Sequence, residues 1–138
     1  MFVNTTALAL VAYAAWTLAL LGGIAVLRGA LTLLRRRAAN AFSVSGDDVS
    51  PFSGRLCRAH ANCYENLPVF ASLTLTAIAT GHVEITDALA LWAVGARVAQ
   101  SITHLTSTSV RAVELRFGFF FVQFMIEILW AVRLWYAL

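Results

Sequence analysis

Four long apolar segments alternate with short polar ones along the chain. The first contains no charged residue from Ala7 to Leu27, and a helix needs about 20 such residues to cross a bilayer. We therefore predict an all-α integral membrane protein of one domain, built as a bundle of four transmembrane helices. The predicted helices cover about residues 4–34, 51–80, 87–105 and 110–137.

Short polar connections separate these helices, and the longest covers residues 35–53. Its first half is compatible with a continued helix, whereas its Ser-Gly-Asp-Asp part is typical of a loop. Ser50 or Ser53 can cap the second helix, Gly81 can end it, and Thr86 can cap the third.

Composition supports a membrane location. The chain is 60% hydrophobic and 12% charged, whereas soluble domains average about 25% charged residues. No basic patch is interleaved with aromatic residues, so nucleic acid is not an expected partner. Cys57 and Cys63 are six residues apart, about 9 Å along a helix. This separation excludes a disulfide within that helix and fits no metal motif, so we interpret both cysteines as small buried apolar residues.

The arginines predict the orientation. Arginines 35–37 and Arg55 surround the first connection, and Arg111 and Arg116 flank the third, whereas the second connection has none. The positive-inside rule places connections one and three in the cytoplasm and both termini outside. The small size and the absence of a eukaryotic retention tail lead us to expect a bacterial inner membrane.

The most polar stretch within the apolar part is residues 55–68, RLCRAHANCYENLP. At about 100° per residue, His60 falls on one side of this helix and most other polar residues fall on the opposite side. Polar groups at membrane depth are costly and are functional candidates by default. The shared polar face consists of Arg55, Arg58, Asn62, Glu65 and Asn66.

Helix three repeats this pattern on a smaller scale. Arg97, Gln100 and His104 share a face, and Arg111 follows seven residues after His104. Two facing polar stripes predict a cavity for a small zwitterionic ligand, because arginine binds carboxylates and glutamate accepts from ammonium groups. The alternative is a structural polar network between the helices, with Arg97 packed against a glutamate and His104 at the membrane interface.

The motif R-A-H-A-N-x-x-E-N-x-P resembles the signature of the family of membrane-associated proteins in eicosanoid and glutathione metabolism, MAPEG. The resemblance extends over nearly the whole chain in hydropathy and spacing. It implies a four-helix membrane protein that forms homotrimers and uses glutathione as cosubstrate. It implies that Arg58, Asn62 and Glu65 bind glutathione, with Arg58 on a carboxylate and Glu65 on the γ-glutamyl ammonium.

The same resemblance implies further site residues. Arg97, Gln100 and His104 would complete the glutathione site. Arg111 matches the arginine that stabilises the glutathione thiolate in the leukotriene-forming branch, so it is the expected catalytic residue. The chain departs from the family where His104 replaces a tyrosine and Asn66 replaces an aromatic residue that some members carry.

The expected function is that of a membrane-bound glutathione transferase or peroxidase, similar to the microsomal glutathione transferases and leukotriene synthases. Glutathione, activated as thiolate, would attack a lipophilic substrate dissolved among the membrane lipids. The alternative is a non-enzymatic lipid-binding scaffold, since the family includes a member that presents fatty acid to a partner. A small transporter fits poorly, because the sequence shows no inverted repeat.

Overall fold

The computed structural model describes residues 4–138, and within them the chain forms four long helices and no strand. The all-α, four-helix prediction is confirmed. A short 3₁₀ helix, Val83–Ile85, lies between the second and third long helices. The long helices are α1 (Thr5–Leu33), α2 (Pro51–Thr80), α3 (Asp87–Thr106) and α4 (Val110–Ala137).

Helix α2 carries the polar motif, and local sequence defines both of its ends. The Ser50 hydroxyl accepts a hydrogen bond from the Ser53 backbone N–H at 3.1 Å, and Pro51 follows at a position where its missing N–H has no cost. Gly81 ends the helix with φ of 78°, in the left-handed region that glycine adopts freely. The predicted cap at Ser50 and the predicted stop at Gly81 are confirmed.

The first connection is not helical, so the prediction that α1 continues into it is wrong. Leu33 is the last helical residue, and Arg35 has φ of 52°. The connection then folds on itself, because Asp48 forms an ion pair with Arg37 and accepts from the Ser43 N–H at 3.1 Å. Hydrogen bonds from Ser43, together with the charge of Arg37, lower the pKa of the Asp48 carboxyl below its ordinary value.

The start of α3 is attached to α1. Thr86 occupies the N-cap position of α3, as predicted, but its side chain makes no capping hydrogen bond. Its hydroxyl lies instead 2.7 Å from the Thr6 hydroxyl, and the Asp87 carboxylate accepts from the Thr6 N–H at 2.8 Å. The Thr86 backbone has φ of −104° and ψ of −30°, in the helical region, whereas a side-chain N-cap needs an extended backbone. The contact between the Thr86 and Thr6 hydroxyls fixes α3 beside α1.

An aromatic cluster joins three helices in the core. The Phe70 ring of α2 lies 4.9 Å from the Tyr13 ring of α1 and 5.7 Å from the Trp130 ring of α4, measured between centroids. All three side chains are buried. The cluster lies in the interior, so the polar side chains of α2 and α3 are arranged beside an apolar core.

The outward faces of α1 and α4 are strongly apolar. Both helices are long and apolar enough to cross a membrane by themselves. Val11 and Leu18 of α1 and Phe117 of α4 are each about two-thirds exposed. Apolar surface of this extent indicates contact with lipid or with another protein.

Candidate functional site

Two neighbouring cavities lie where α2, α3 and α4 meet. The first, which we call the arginine cavity, has a volume of about 360 Å³ and lies between the start of α2, the end of α3 and the start of α4. The cavity lies next to the first and third connections, because the first connection leads into α2 and the third joins α3 to α4. The charged and titratable side chains that line it are Asp47, Arg55, Arg58, His104 and Arg116.

The two α2 arginines of this cavity have different surroundings. Arg55 Nε donates to the Leu105 carbonyl at 2.9 Å, which attaches α2 to the end of α3. Arg58 has only a loose ion pair, 3.9 Å from the Asp47 carboxylate, and its side chain is 69% exposed. Gly54 allows Asp47 this position, because a Cβ at residue 54 would clash with the Asp47 carboxylate. The Arg58 guanidinium is therefore available to bind a ligand.

The second cavity, which we call the glutamate cavity, has a volume of about 180 Å³ and is lined by Asn62, Glu65, Asn66, Arg97 and Phe120. Glu65 is exposed, whereas Arg97 is 2% exposed. The Arg97 guanidinium donates to the backbone carbonyl of Asn62 at 3.0 Å. A buried arginine thus joins α3 to the motif of α2, next to a free carboxylate.

A hydrogen-bonded contact connects the two cavities. His104 Nε2, in the wall of the arginine cavity, lies 2.9 Å from Asn62 Nδ2, in the wall of the glutamate cavity. The facing polar stripes predicted for helices two and three are thus in contact. Predicted site residues that line the two cavities are Arg58, Asn62, Glu65, Arg97 and His104.

Gln100 lies behind this wall. It is 6% exposed, and its Oε1 accepts from the Arg97 guanidinium at 2.8 Å and from Gln123 Nε2 at 3.3 Å. The side chain lines neither cavity. In this chain Gln100 holds the Arg97 guanidinium from behind the cavity wall.

Arg111 and Arg116 lie on different faces of α4. Five residues correspond to about 140° around a helix. Arg111 is exposed and lines neither cavity, whereas Arg116 lines the arginine cavity and its guanidinium lies 2.7 Å from His104 Nδ1. Sequence reasoning missed Arg116, although helical spacing contains the signal. Arg116 belongs to an inward face that also includes Ala112, Gln123, Glu127 and Trp130.

A further polar contact extends from the wall of the glutamate cavity into the bundle interior. Asn66 Nδ2 donates to the Glu127 carboxylate at 2.7 Å, which joins α2 to α4. Among residues 4–138, Arg97 forms no ion pair with Glu65 or Glu127, although both were possible partners from the sequence. Glu127 is therefore paired within the bundle through an amide.

His60 lies on the opposite side of α2, as its helical position predicts. It is half-buried, packs against Tyr64 at 5.4 Å between ring centroids, and lines a separate cavity of about 280 Å³ with Arg28. Cys57, in the same cavity wall, is buried and free, as is Cys63. Within one chain His60 therefore faces away from both the arginine and the glutamate cavity.

A model of the MAPEG family matches residues 6–136. The chain belongs to the MAPEG family. This MAPEG protein is accordingly a four-helix membrane bundle, and its family membership relates it to glutathione. Neither the comparison with curated proteins nor the comparison with solved structures gives a match.

The two cavities of this MAPEG protein differ in their exposed charges. Three arginines, including Arg58, and Asp47 line one cavity, whereas the exposed carboxylate of Glu65 lines the other beside the buried Arg97. The Asn62 amide lies between them and offers both a donor and an acceptor. Such an arrangement suits an elongated zwitterionic ligand that has a carboxylate at one end and an ammonium group at the other.

Proposed function

We propose that this protein binds glutathione in the two cavities and acts as a glutathione transferase. The observation that carries the proposal is the pair of exposed, oppositely charged side chains on α2. Arg58 and Glu65 are both exposed and line adjoining cavities, about 10 Å apart along the helix axis. A guanidinium binds a carboxylate through two parallel hydrogen bonds, and a carboxylate accepts from an ammonium. Glutathione carries both groups, as does the ligand class predicted from the motif.

The remaining predicted residues complete this binding site. Asn62 lies between the two charges and is in contact with His104. Arg97 contributes a buried positive charge to the glutamate cavity, and Gln100 holds that guanidinium in place. The buried amides and arginine therefore support a ligand that is bound mainly by the exposed side chains.

The proposed chemistry begins with ionisation of the glutathione thiol. The thiol proton is released to solvent, and a nearby cation stabilises the resulting thiolate. Arg111, at the positively polarised start of α4, is the proposed cation. The sulfur electron pair forms a bond to an electrophilic carbon, and the leaving group departs with its bonding pair. With a lipid hydroperoxide, two glutathione molecules would instead give their disulfide, an alcohol and water.

A homotrimer accounts for two residues, one of α4 and one of the α2 motif, that point away from the site of their own chain. Arg111 is exposed on the outward face of α4, and His60 lies on the far side of α2. In a symmetric assembly, such residues can reach the site of a neighbouring protomer. Membrane lipids and the lipophilic substrate would contact the remaining apolar faces.

The arginine distribution supports a membrane orientation for this site. Connections one and three carry the excess of arginine, so we assign them to the cytoplasm, with both termini outside, in a bacterial inner membrane. The arginine cavity adjoins these connections. Under this assignment glutathione enters from the cytoplasm and the lipophilic substrate enters from the bilayer.

A lipid-binding scaffold is the second candidate. Its supporting observation is an apolar groove of about 310 Å³ between α3 and α4, lined in part by Trp92, Phe119 and Val122. The replacement of the family tyrosine by His104 also favours this candidate. A scaffold of this kind would bind fatty acid in the groove and would have no affinity for glutathione.

The test is calorimetric titration of the detergent-purified protein with glutathione, in the wild type and in Glu65→Gln. The substitution keeps the shape of the side chain and removes its charge, so we expect an affinity loss of about tenfold or more. Glu114→Gln is the matched control, since Glu114 is exposed and lines neither cavity. Equal affinities for wild type and Glu65→Gln would show that the assigned cavity is wrong.

A further inference from the structure

Arg116, His104 and Asn62 form a hydrogen-bonded row across three helices. Arg116 Nη1 of α4 lies 2.7 Å from His104 Nδ1 of α3, and His104 Nε2 lies 2.9 Å from the Asn62 amide of α2. Both distances are within the range of ordinary hydrogen bonds. Arg116 and His104 share the wall of the arginine cavity. The row therefore runs from one cavity to the other.

The chemistry of these groups fixes the direction of the row. A guanidinium has only donors, so the nitrogen it faces must present a lone pair. A charged imidazole has no such lone pair, and a neutral one has its hydrogen on the other nitrogen. His104 next to Arg116 must therefore be neutral, with its hydrogen on Nε2. The other neutral tautomer, with its hydrogen on Nδ1, cannot accept a hydrogen bond from Arg116.

The Nε2–H group in turn orients Asn62. A donor at His104 Nε2 requires an acceptor, so the amide atom that faces it must be the Asn62 oxygen. The two ends of an amide have nearly the same shape, and turning the amide by 180° satisfies this contact. The Asn62 NH₂ group then points away from His104. Among the described residues, the contact with His104 is the one hydrogen bond of this side chain, so the NH₂ group is open to a ligand.

We propose that Arg116 is a positioning residue of the binding site, which holds His104 as the neutral Nε2–H tautomer and thereby directs the Asn62 NH₂ group toward an oxygen of the ligand. The ligand atom at Asn62 would then be a carbonyl or carboxylate oxygen and not an N–H group. The neighbouring Glu65 carboxylate is an acceptor and takes the ammonium. The identity of the ligand rests on the proposed function, whereas the tautomer depends only on the row of contacts.

The test reads the tautomer directly, without ligand. Protein labelled with ¹⁵N-histidine is purified in detergent, and its imidazole nitrogens are recorded by NMR at neutral pH, where N–H and bare nitrogens give well-separated signals. The chain has three histidines, so the signals of His104 are those that disappear in His104→Gln. We expect the wild type to show a neutral ring with hydrogen on Nε2. A charged ring, or hydrogen on Nδ1, would overturn the proposal without any further variant.

Three substitutions on α4 separate positioning from general disruption. Arg116→Lys retains a donor and should keep the Nε2–H tautomer, whereas Arg116→Met should lose it. Arg133→Met removes the same charge from an exposed position that lines neither cavity and should leave the His104 signals unchanged. An unchanged tautomer in Arg116→Met would contradict the role of Arg116.

Glutathione calorimetry on the same variants distinguishes the two proposals. Arg116→Met should weaken binding roughly 2- to 10-fold, as expected for one misdirected hydrogen bond, and Arg116→Lys should restore most of it. If the tautomers behave as expected and wild type binds no glutathione, the proposed function fails and the positioning role stands. If wild type binds glutathione and Arg116→Met binds equally well, the positioning role fails and the proposed function stands.

Discussion

Replacement of Arg58 by alanine should separate ligand binding from folding. In the structure this guanidinium is 69% exposed, and its only ion pair among the described residues is a 3.9 Å contact with Asp47. Exposed ion pairs contribute about 0–1 kcal/mol to stability. We therefore expect Arg58→Ala to change the unfolding temperature in detergent little, because among residues 4–138 the guanidinium makes no other ion pair or hydrogen bond.

The effect on glutathione affinity should be much larger. A hydrogen bond to a charged group contributes about 1.5–3 kcal/mol, which corresponds to roughly 10- to 150-fold in the dissociation constant. Calorimetric titration measures this change, and the unfolding temperature is recorded on the same samples. Arg133→Ala is the matched control, since Arg133 is exposed on α4 and lines neither cavity. Equal glutathione affinities for Arg58→Ala and Arg133→Ala would refute the reasoning.

Three further predictions concern other parts of the molecule. Asn66→Leu should lower the free energy of unfolding by about 1–3 kcal/mol, because it leaves the buried Glu127 carboxylate without its donor. Unfolding in detergent measures this loss, and Asn66→Asp, which also lacks the donor, should not restore stability. Arg111→Ala should retain glutathione binding and lose the thiolate absorbance, and retention of both would exclude Arg111 from activation. Asp48 has a lowered pKa in the folded chain, so its contribution to the first connection is present above its ordinary pKa and is lost as the pH falls through the lowered value. Hydrogen exchange of residues 35–50, corrected for intrinsic rates, should show protection that decreases at low pH in the wild type and is already low in Asp48→Asn.

The helices were predictable because they depend on local signals. Apolar runs indicated the four helices, and Ser50 and Gly81 marked the ends of α2 through capping chemistry that acts within a few residues. Two departures from the prediction, the missing side-chain bond of Thr86 and the non-helical first connection, involve contacts beyond the local helical pattern. Thr86 contacts Thr6, which is 80 residues away in sequence. The ion pair of Asp48 with Arg37 likewise holds the first connection in a conformation that helix propensity does not describe.

The site was predictable where residues of one helix share a face. Arg58, Asn62 and Glu65 line adjoining cavities because their spacing places them on one side of α2. The partners from other elements were harder to identify. Asp47 enters the wall through a loop, and the inward position of Arg116 depends on the rotation of α4 about its own axis. That rotation is set by packing of the buried α4 face against the bundle. The seven-residue spacing between His104 and Arg111 contains no information about it.

An ultraviolet difference titration tests the central claim most directly. Glutathione is added to the detergent-purified protein at neutral pH, and the thiolate absorbance is followed against protein-free and Arg58→Ala samples. The account predicts a saturable thiolate band in the wild type and a titration shifted to higher glutathione concentration in Arg58→Ala. The absence of a band, together with no heat of glutathione binding, would contradict a glutathione-activating site and favour the lipid-binding scaffold.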